Sequence, residues 1–123
     1  MITFEVGNLL ERDAQALVNT VNTEGVMGKG IALQFKEEFP MNYDIYHKAC
    51  KTGNFKVGEV LITQDINRRG EKKYIVNFPT KTTWRKPSEY SYIVLGLHAL
   101  KKKIEDLHIM SIAIPPLGSN NGG

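Results

Sequence analysis

The chain has a single cysteine, Cys50, so no internal disulfide can form and a reducing compartment, the cytoplasm, is the expectation. It has no apolar run near the roughly 20 residues needed to cross a bilayer. Its start, Met1-Ile2-Thr3-Phe4-Glu5-Val6, lacks the basic region, apolar core and cleavage site of a signal peptide, so no secretory leader is expected. Strong charge of one sign is also missing. The formal net charge is +3, which permits a polyanionic partner without requiring one. Histidines are few and scattered. His47 and Cys50 share a helix turn, but two ligands do not make a zinc site, so no metal is expected. No Ser-His-Asp or Cys-His arrangement can be read, and Asp13, Glu24, Asp44 and Asp65 show no paired spacing. Lys29 lies between two glycines with no Ser or Thr at the required place after it, which argues against a P-loop NTPase. There is no internal repeat, low-complexity tract or linker.

What remains is an ordinary globular composition, 41% apolar and 24% charged in 123 residues, the size of one domain. Ile2, Phe4 and Val6 alternate with polar neighbours and predict a strand, and Ala16–Asn19 a short buried one. Ile31, Phe35 and Phe39 share one helix face, and Pro40 ends or kinks that helix. A second helix presents Ile45, Tyr46, Ala49 and Cys50 and closes at Gly53. Val57–Thr63 and Lys73–Phe78 predict strands, and Asn67-Arg68-Arg69-Gly70 the turn between them. Pro79–Lys86 reads as a loop, and Pro87-Ser88-Glu89 as the first turn of a helix. That helix carries Ile93, Leu97, Leu100, Ile104 and Leu107 on its apolar face, and Met110–Ile114 is a buried strand. Strands mixed with helices in this order predict an α/β sandwich with a mixed sheet.

Two glycine-rich loops follow apolar strands. The first, within Asn19–Ala32, holds Gly25, Gly28 and Gly30 and opens a helix. The second is Gly118-Ser119-Asn120-Asn121-Gly122-Gly123. Close backbone approach, free N–H groups and a helix dipole suit an anion, and two such loops could grip a diphosphate. Of the asparagines beside the first loop, Asn19 is expected to be a turn former. Asn22 is the ligand candidate, since a neutral amide both donates to and accepts from sugar hydroxyls. Between Arg68 and Lys86 lie seven Lys or Arg and one acid, Glu71. Arg68, Arg69, Lys72 and Lys73 are expected to form a solvated face, as are Lys101, Lys102 and Lys103. Trp84, Arg85 and Lys86 could stack on a base and meet phosphates, an arrangement suited to single-stranded nucleic acid. A partly buried anchor is the alternative for Trp84.

Together, Gly7-Asn8-Leu9, Ala16-Leu17-Val18-Asn19-Thr20-Val21-Asn22, Gly28-Lys29-Gly30-Ile31-Ala32 and Pro116-Leu117-Gly118 resemble the macrodomain family. The resemblance covers essentially the whole chain, residues 1–123, as one domain. Val26–Lys36, Phe78-Pro79-Thr80-Lys81 and Trp84-Arg85 resemble the DarG-type antitoxins, related to terminal ADP-ribose protein glycohydrolase. It implies a three-layer α/β/α sandwich with a mixed central sheet. It also implies an enzyme, an ADP-ribosyl glycohydrolase that removes ADP-ribose from thymidine in single-stranded DNA and reverses a DNA ADP-ribosyltransferase toxin. Lys81 would be catalytic, as a nucleophile at the anomeric carbon or as a charge that stabilises the departing base.

By the same resemblance Asn8 and Leu9 would receive adenine, and Asn22 would lie near the distal ribose. The diphosphate would sit between the two glycine loops, with Gly28, Gly30, Ile31 and Ala32 in the first and Gly118, Ser119, Asn120, Asn121 and Gly122 in the second, and Thr80 would also bind the ligand. Many members have Asp at the position of Asn8, and Ser119 and Asn120 replace a Cys and a Gly. The family's last helix and strand are expected to be missing from this chain. No cofactor is expected, and the partners would be ADP-ribose, ADP-ribosylated single-stranded DNA and a cognate toxin, met by a monomer. The alternatives are a binding module that reads ADP-ribose without cleaving it, and a hydrolase of ADP-ribosylated glutamate in proteins.

Overall fold

The computed structural model describes residues 10, 13–28, 30–83, 89–115 and 117. The strand expected over Ile2–Val6 and the helix start at Pro87-Ser88 lie outside them. The described elements are β1 (Ala16–Asn22), α1 (Gly30–Glu38), α2 (Pro40–Lys51), β2 (Leu61–Ile66), β3 (Lys72–Lys81), α3 (Tyr90–Leu107) and β4 (Ile112–Ala113). The sheet order is β2-β3-β1-β4. β1 runs parallel to β3 and β4, while β2 is antiparallel to β3, so the sheet is mixed as expected.

Strand alternation divides the core into two layers. Leu17, Val21 and Ile75 face α1 and α2, where they meet Phe35, Phe39, Tyr46 and Phe55. Ala16, Val18, Val76 and Phe78 face Leu100 of α3, together with Ile109 and Ile112. The result is a three-layer α/β/α sandwich. Phe35 and Phe39 are fully buried, each contributing roughly 2–3 kcal/mol of hydrophobic stabilisation. No helix among the described residues is long and apolar enough to cross a membrane.

The hairpin forms at the expected turn. Asn67 Oδ1 accepts from the N–H groups of Arg69 and Glu71, and Gly70 takes a positive φ of 83°. β2 begins at Leu61 rather than Val57. The basic face is only partly solvated. Arg68 pairs with Glu38 and Arg69 with Glu71, but Lys73 is buried, its Nζ donating to Ala14 O at 2.7 Å.

Two strands run further than the pattern suggested. β1 continues through Asn22, so Asn19 is a fully buried strand residue and not a turn former. β3 continues through Pro79 and Thr80 to Lys81, where a loop was expected. Proline disrupts a strand flanked on both sides. At Pro79 the pairing with β2 has already ended at Asn77, so β3 has only β1 beside it. β4, by contrast, is confined to Ile112–Ala113, and Met110 is exposed.

The helix faces follow the expected ones except at one position each in α2 and α3. In α2, Tyr46 is buried as expected, but Ile45 is exposed and Asn42 is buried in addition. Thr52 ends α2, and Gly53 follows in the left-handed region at φ 76°. In α3, Leu97 is exposed and Gly96 is buried instead. A Cβ at Gly96 would come within 2.5 Å of Phe78 Cζ, so only glycine lets α3 approach the sheet this closely. Gly96→Ala is expected to destabilise by about 1–2 kcal/mol, overpacking outweighing the gain in helix propensity. Urea unfolding checks this through a lower midpoint at unchanged slope.

α2 is fastened to the sheet by polar groups. Its N-cap residue Phe39 has no capping side chain, and Asp65 Oδ2 of β2 accepts the N–H of Asn42 at 2.9 Å instead. Asn42 and Asn77 exchange reciprocal side-chain hydrogen bonds of 3.1 and 2.8 Å. Thr63 Oγ1 donates to Asn42 Oδ1 at 2.6 Å. These groups are buried, which their mutual hydrogen bonds make tolerable.

Candidate functional site

The parallel strands β3, β1 and β4 all end at one edge of the sheet, with β1 between the other two. Ligands of α/β sheets bind outside such carboxyl ends. Three segments are delivered there: the loop after Asn22, the end of β3 at Lys81, and the chain leaving Ala113. The last of these leads to Gly118, Ser119, Asn120, Asn121 and Gly122, which lie outside the described residues. So do Asn8, Leu9, Trp84, Arg85 and Lys86.

The loop from Asn22 to Gly28 is built around the Asn22 side chain. Its Oδ1 accepts from the N–H groups of Glu24, Gly25 and Val26 at 3.0, 3.1 and 3.3 Å, and its Nδ2 donates to Val26 O at 3.1 Å. The carboxamide of Asn22 therefore organises the loop, the role the sequence pattern had suggested for Asn19. It leaves one N–H of Nδ2 for a ligand. Asn19 lies beneath, its Nδ2 donating to Met27 Sδ at 3.6 Å and its Oδ1 buried without a partner. Glu24 Oε2 is also buried without a partner.

The loop leads into α1. Gly30, at φ 62°, turns the chain into the helix, and Gly28 and Gly30 are exposed, with Ile31 and Ala32 half-buried. The first four N–H groups of a helix have no intrahelical acceptor, and the dipole is positive there. No acidic residue lies in the first turn to compete for them. This end of α1 can accept an anion such as a phosphate.

Lys81 stands beside this loop. It is the register partner of Asn22, across an irregularity between Val21 and Asn22. Thr23 N–H donates to Lys81 O at 3.2 Å, and Thr23 Oγ1 donates to Thr82 O at 3.2 Å. Thr80 is buried and Lys81 half-buried. The loop that can hold an anion and the strand end bearing a primary amine are thus joined directly.

A brace behind the loop escaped the sequence reading. Tyr43, Tyr46, His47 and Cys50 line one stripe of α2 and grip the loop. Tyr46 hydroxyl donates to Asn22 O and Oδ1, at 2.8 and 3.0 Å. Gly25 O accepts from Tyr43 hydroxyl at 3.4 Å and lies 3.0 Å from His47 Nδ1. A carbonyl only accepts, so His47 carries its proton on Nδ1. Gly25 takes φ 96°, and a Cβ there would lie 3.3 Å from Cys50 Cβ and His47 Nδ1. The signal was two tyrosines and a histidine at helical spacing on a face otherwise apolar.

Burial raises the Tyr46 hydroxyl above its ordinary range and pushes the Cys50 thiol up to about 11. A raised acid pKa means the folded chain keeps the thiol proton that the unfolded chain would lose. This contribution to stability is complete below the ordinary thiol value and fades as pH rises through about 11. Cys50 should react with iodoacetamide at pH 8 about a hundredfold more slowly than a free cysteine, because so little of it is thiolate. Mass spectrometry over time checks the rate, and denaturant should restore it.

Residues 18–123 match the family model described as Macro domain. The chain is 52% identical, over all 123 residues, to a DNA ADP-ribosyl glycohydrolase of Thermus aquaticus. It spans about a third of the length of the DNA ADP-ribosyl glycohydrolases it matches, 34% and 35% for two of them. Its structure is similar to the macrodomain of Mycobacterium tuberculosis DarG, with a TM-score of 0.91 and 51% identity, covering 100% of this chain and 80% of that one. It is also similar to Thermosipho africanus DarTG in complex with ADP-ribose, with a TM-score of 0.86 and 30% identity, covering 99% of this chain and 34% of that one.

Proposed function

The chain belongs to the macrodomain family, and we propose that it is an ADP-ribosyl glycohydrolase that removes ADP-ribose from thymidine bases in single-stranded DNA. What carries the reading is the junction of Lys81 with the Asn22 loop at the carboxyl edge of the parallel strands. The names of its relatives, DNA ADP-ribosyl glycohydrolases, support the substrate class. The ligand's diphosphate meets the first turn of α1 and the loop before it through Gly28, Gly30, Ile31 and Ala32, and Thr80 of β3 also contacts the ligand. The distal ribose lies at the mouth of the Asn22 loop, its anomeric carbon toward Lys81. Asn8 and Leu9 receive adenine. Gly118, Ser119, Asn120, Asn121 and Gly122 close on the diphosphate from the far side. Trp84, Arg85 and Lys86 take the DNA strand, by stacking and by phosphate contact.

Two routes give the same products. In the first, Lys81 Nζ, uncharged, bonds to the anomeric carbon as the glycosidic bond breaks. The base leaves with the electron pair and takes up a proton, and water then releases ADP-ribose and restores the amine. In the second, charged Lys81 stabilises the departing base while water attacks. Borohydride trapping of an enzyme–sugar adduct separates them. The protein acts as a cytoplasmic monomer and as antitoxin to a DNA ADP-ribosyltransferase. One relative carries both activities in its name, as a DNA ADP-ribosyl transferase–DNA ADP-ribosyl glycohydrolase fusion protein.

The test offers ADP-ribosylated thymidine DNA and ADP-ribosylated glutamyl protein side by side. The expected result is release of ADP-ribose from the DNA. Cleavage of the protein alone would replace this reading with a protein hydrolase, and tight binding without cleavage of either would leave a binding module.

A further inference from the structure

Asn22 holds its own loop together, but those bonds are local and do not fix where the loop sits against β3. Two ties reach the loop from outside: Thr23 bonds directly to Lys81 O and Thr82 O, and α2 holds Asn22 through the Tyr46 hydroxyl on both of its oxygens, with Cys50 Sγ 4.0 Å from Asn22 O. Tyr46 cannot move to follow the loop. It is fully buried, its ring edge-on to Phe55 at 6.3 Å and tilted against Tyr43 at 6.2 Å. Its helix is fastened to β3 through the Asn42–Asn77 pair and to β2 through Asp65.

A closed mechanical path results. From Asn77 of β3 it passes to Asn42, along α2 to Tyr46, and across to Asn22. From there it returns through the strand pairing to Lys81, on the same strand as Asn77. The register irregularity between Val21 and Asn22 sits inside this path. A local irregularity re-aims the backbone it interrupts, and it is common beside active sites.

We propose that Tyr46 is a positioning residue for Lys81: its hydroxyl holds Asn22 opposite the extra β3 residue, Thr80, and so, together with the Thr23 bonds to Lys81 and Thr82, sets the spacing between the ligand loop and the end of β3. The inference rests on the reading of Lys81 as catalytic. A phenylalanine would fill the same apolar space, so the hydroxyl is the informative part of the side chain. Misplacing a reacting group by about 1 Å can cost on the order of a hundredfold in rate. The anion-binding N–H groups belong to α1, beyond the loop, and depend less on this tie.

The experiment is Tyr46→Phe in the otherwise unchanged protein. Turnover of an ADP-ribosylated thymidine oligonucleotide, affinity for free ADP-ribose and thermal midpoint are measured together, with Lys81→Ala in parallel. The expected result is a kcat lowered at least about tenfold, with the ADP-ribose Kd within about threefold of the parent. Hydrogen exchange at the Glu24, Gly25 and Val26 amides should quicken. Unchanged kcat while Lys81→Ala is inactive would overturn the role of Tyr46 alone. A loss of kcat matched by an equal loss of affinity would also overturn it, by showing a merely structural role. Full activity of Lys81→Ala would remove the reading of Lys81 and this inference with it.

Discussion

Lys81→Ala is expected to slow release of ADP-ribose from thymidine by about a thousandfold, on the order of 4 kcal/mol of transition-state stabilisation. The loss should fall on kcat. The diphosphate is held by backbone N–H groups of α1, which Lys81 does not supply, so the ADP-ribose Kd should stay within about fivefold. The fold should persist, because Lys81 is half-buried at the strand end while the neighbouring Thr80 fills the buried position. Lys81→Arg divides the two routes. A guanidinium does not lose its proton and cannot form the adduct, but it can stabilise a departing base. Wild-type turnover by Lys81→Ala would remove Lys81 from the chemistry.

Asn42→Ala is expected to be strongly destabilising. It removes three side-chain hydrogen bonds at once, two with Asn77 and one with Thr63. Asn77 Nδ2 keeps Leu61 O at 3.0 Å, but Asn77 Oδ1 and Thr63 Oγ1 lose the partner Asn42 gave them. Leaving a buried polar group unpaired costs about 1–3 kcal/mol, so the total should reach roughly 3–5 kcal/mol. Thermal unfolding followed by circular dichroism should show a drop of about 15 °C. A drop under about 4 °C would mean that the α2 clasp contributes little. The same variant should also lose activity at temperatures where it remains folded, since α2 braces the Asn22 loop.

The sequence showed the outline of this fold because its signals are local. The turn chemistry of Asn67 and Gly70, the helix stop at Gly53 and the 3.6-residue pattern of α3 each act within a few residues. The glycines that open α1 were legible for the same reason. What escaped depends on partners far away in the chain. Asn42 looks like a surface residue until Asn77, more than thirty residues later, satisfies it. Lys73 looks solvated until Ala14 O receives its ammonium. Pro79 reads as a loop residue because the end of the β2 pairing cannot be seen from its neighbours. The roles of Asn19 and Asn22 came out differently because both are plain polar residues near a loop. Only the length of β1 shows which of them reaches the turn.

Cleavage of the bond between ADP-ribose and a DNA base is the activity proposed for this site. A single-stranded oligonucleotide carrying one ADP-ribosylated thymidine, incubated with excess protein and followed by mass spectrometry, tests it most directly. The adduct mass should disappear while unmodified oligonucleotide and free ADP-ribose appear in equal amounts. An oligonucleotide that keeps its adduct, while the same protein binds free ADP-ribose, would contradict it.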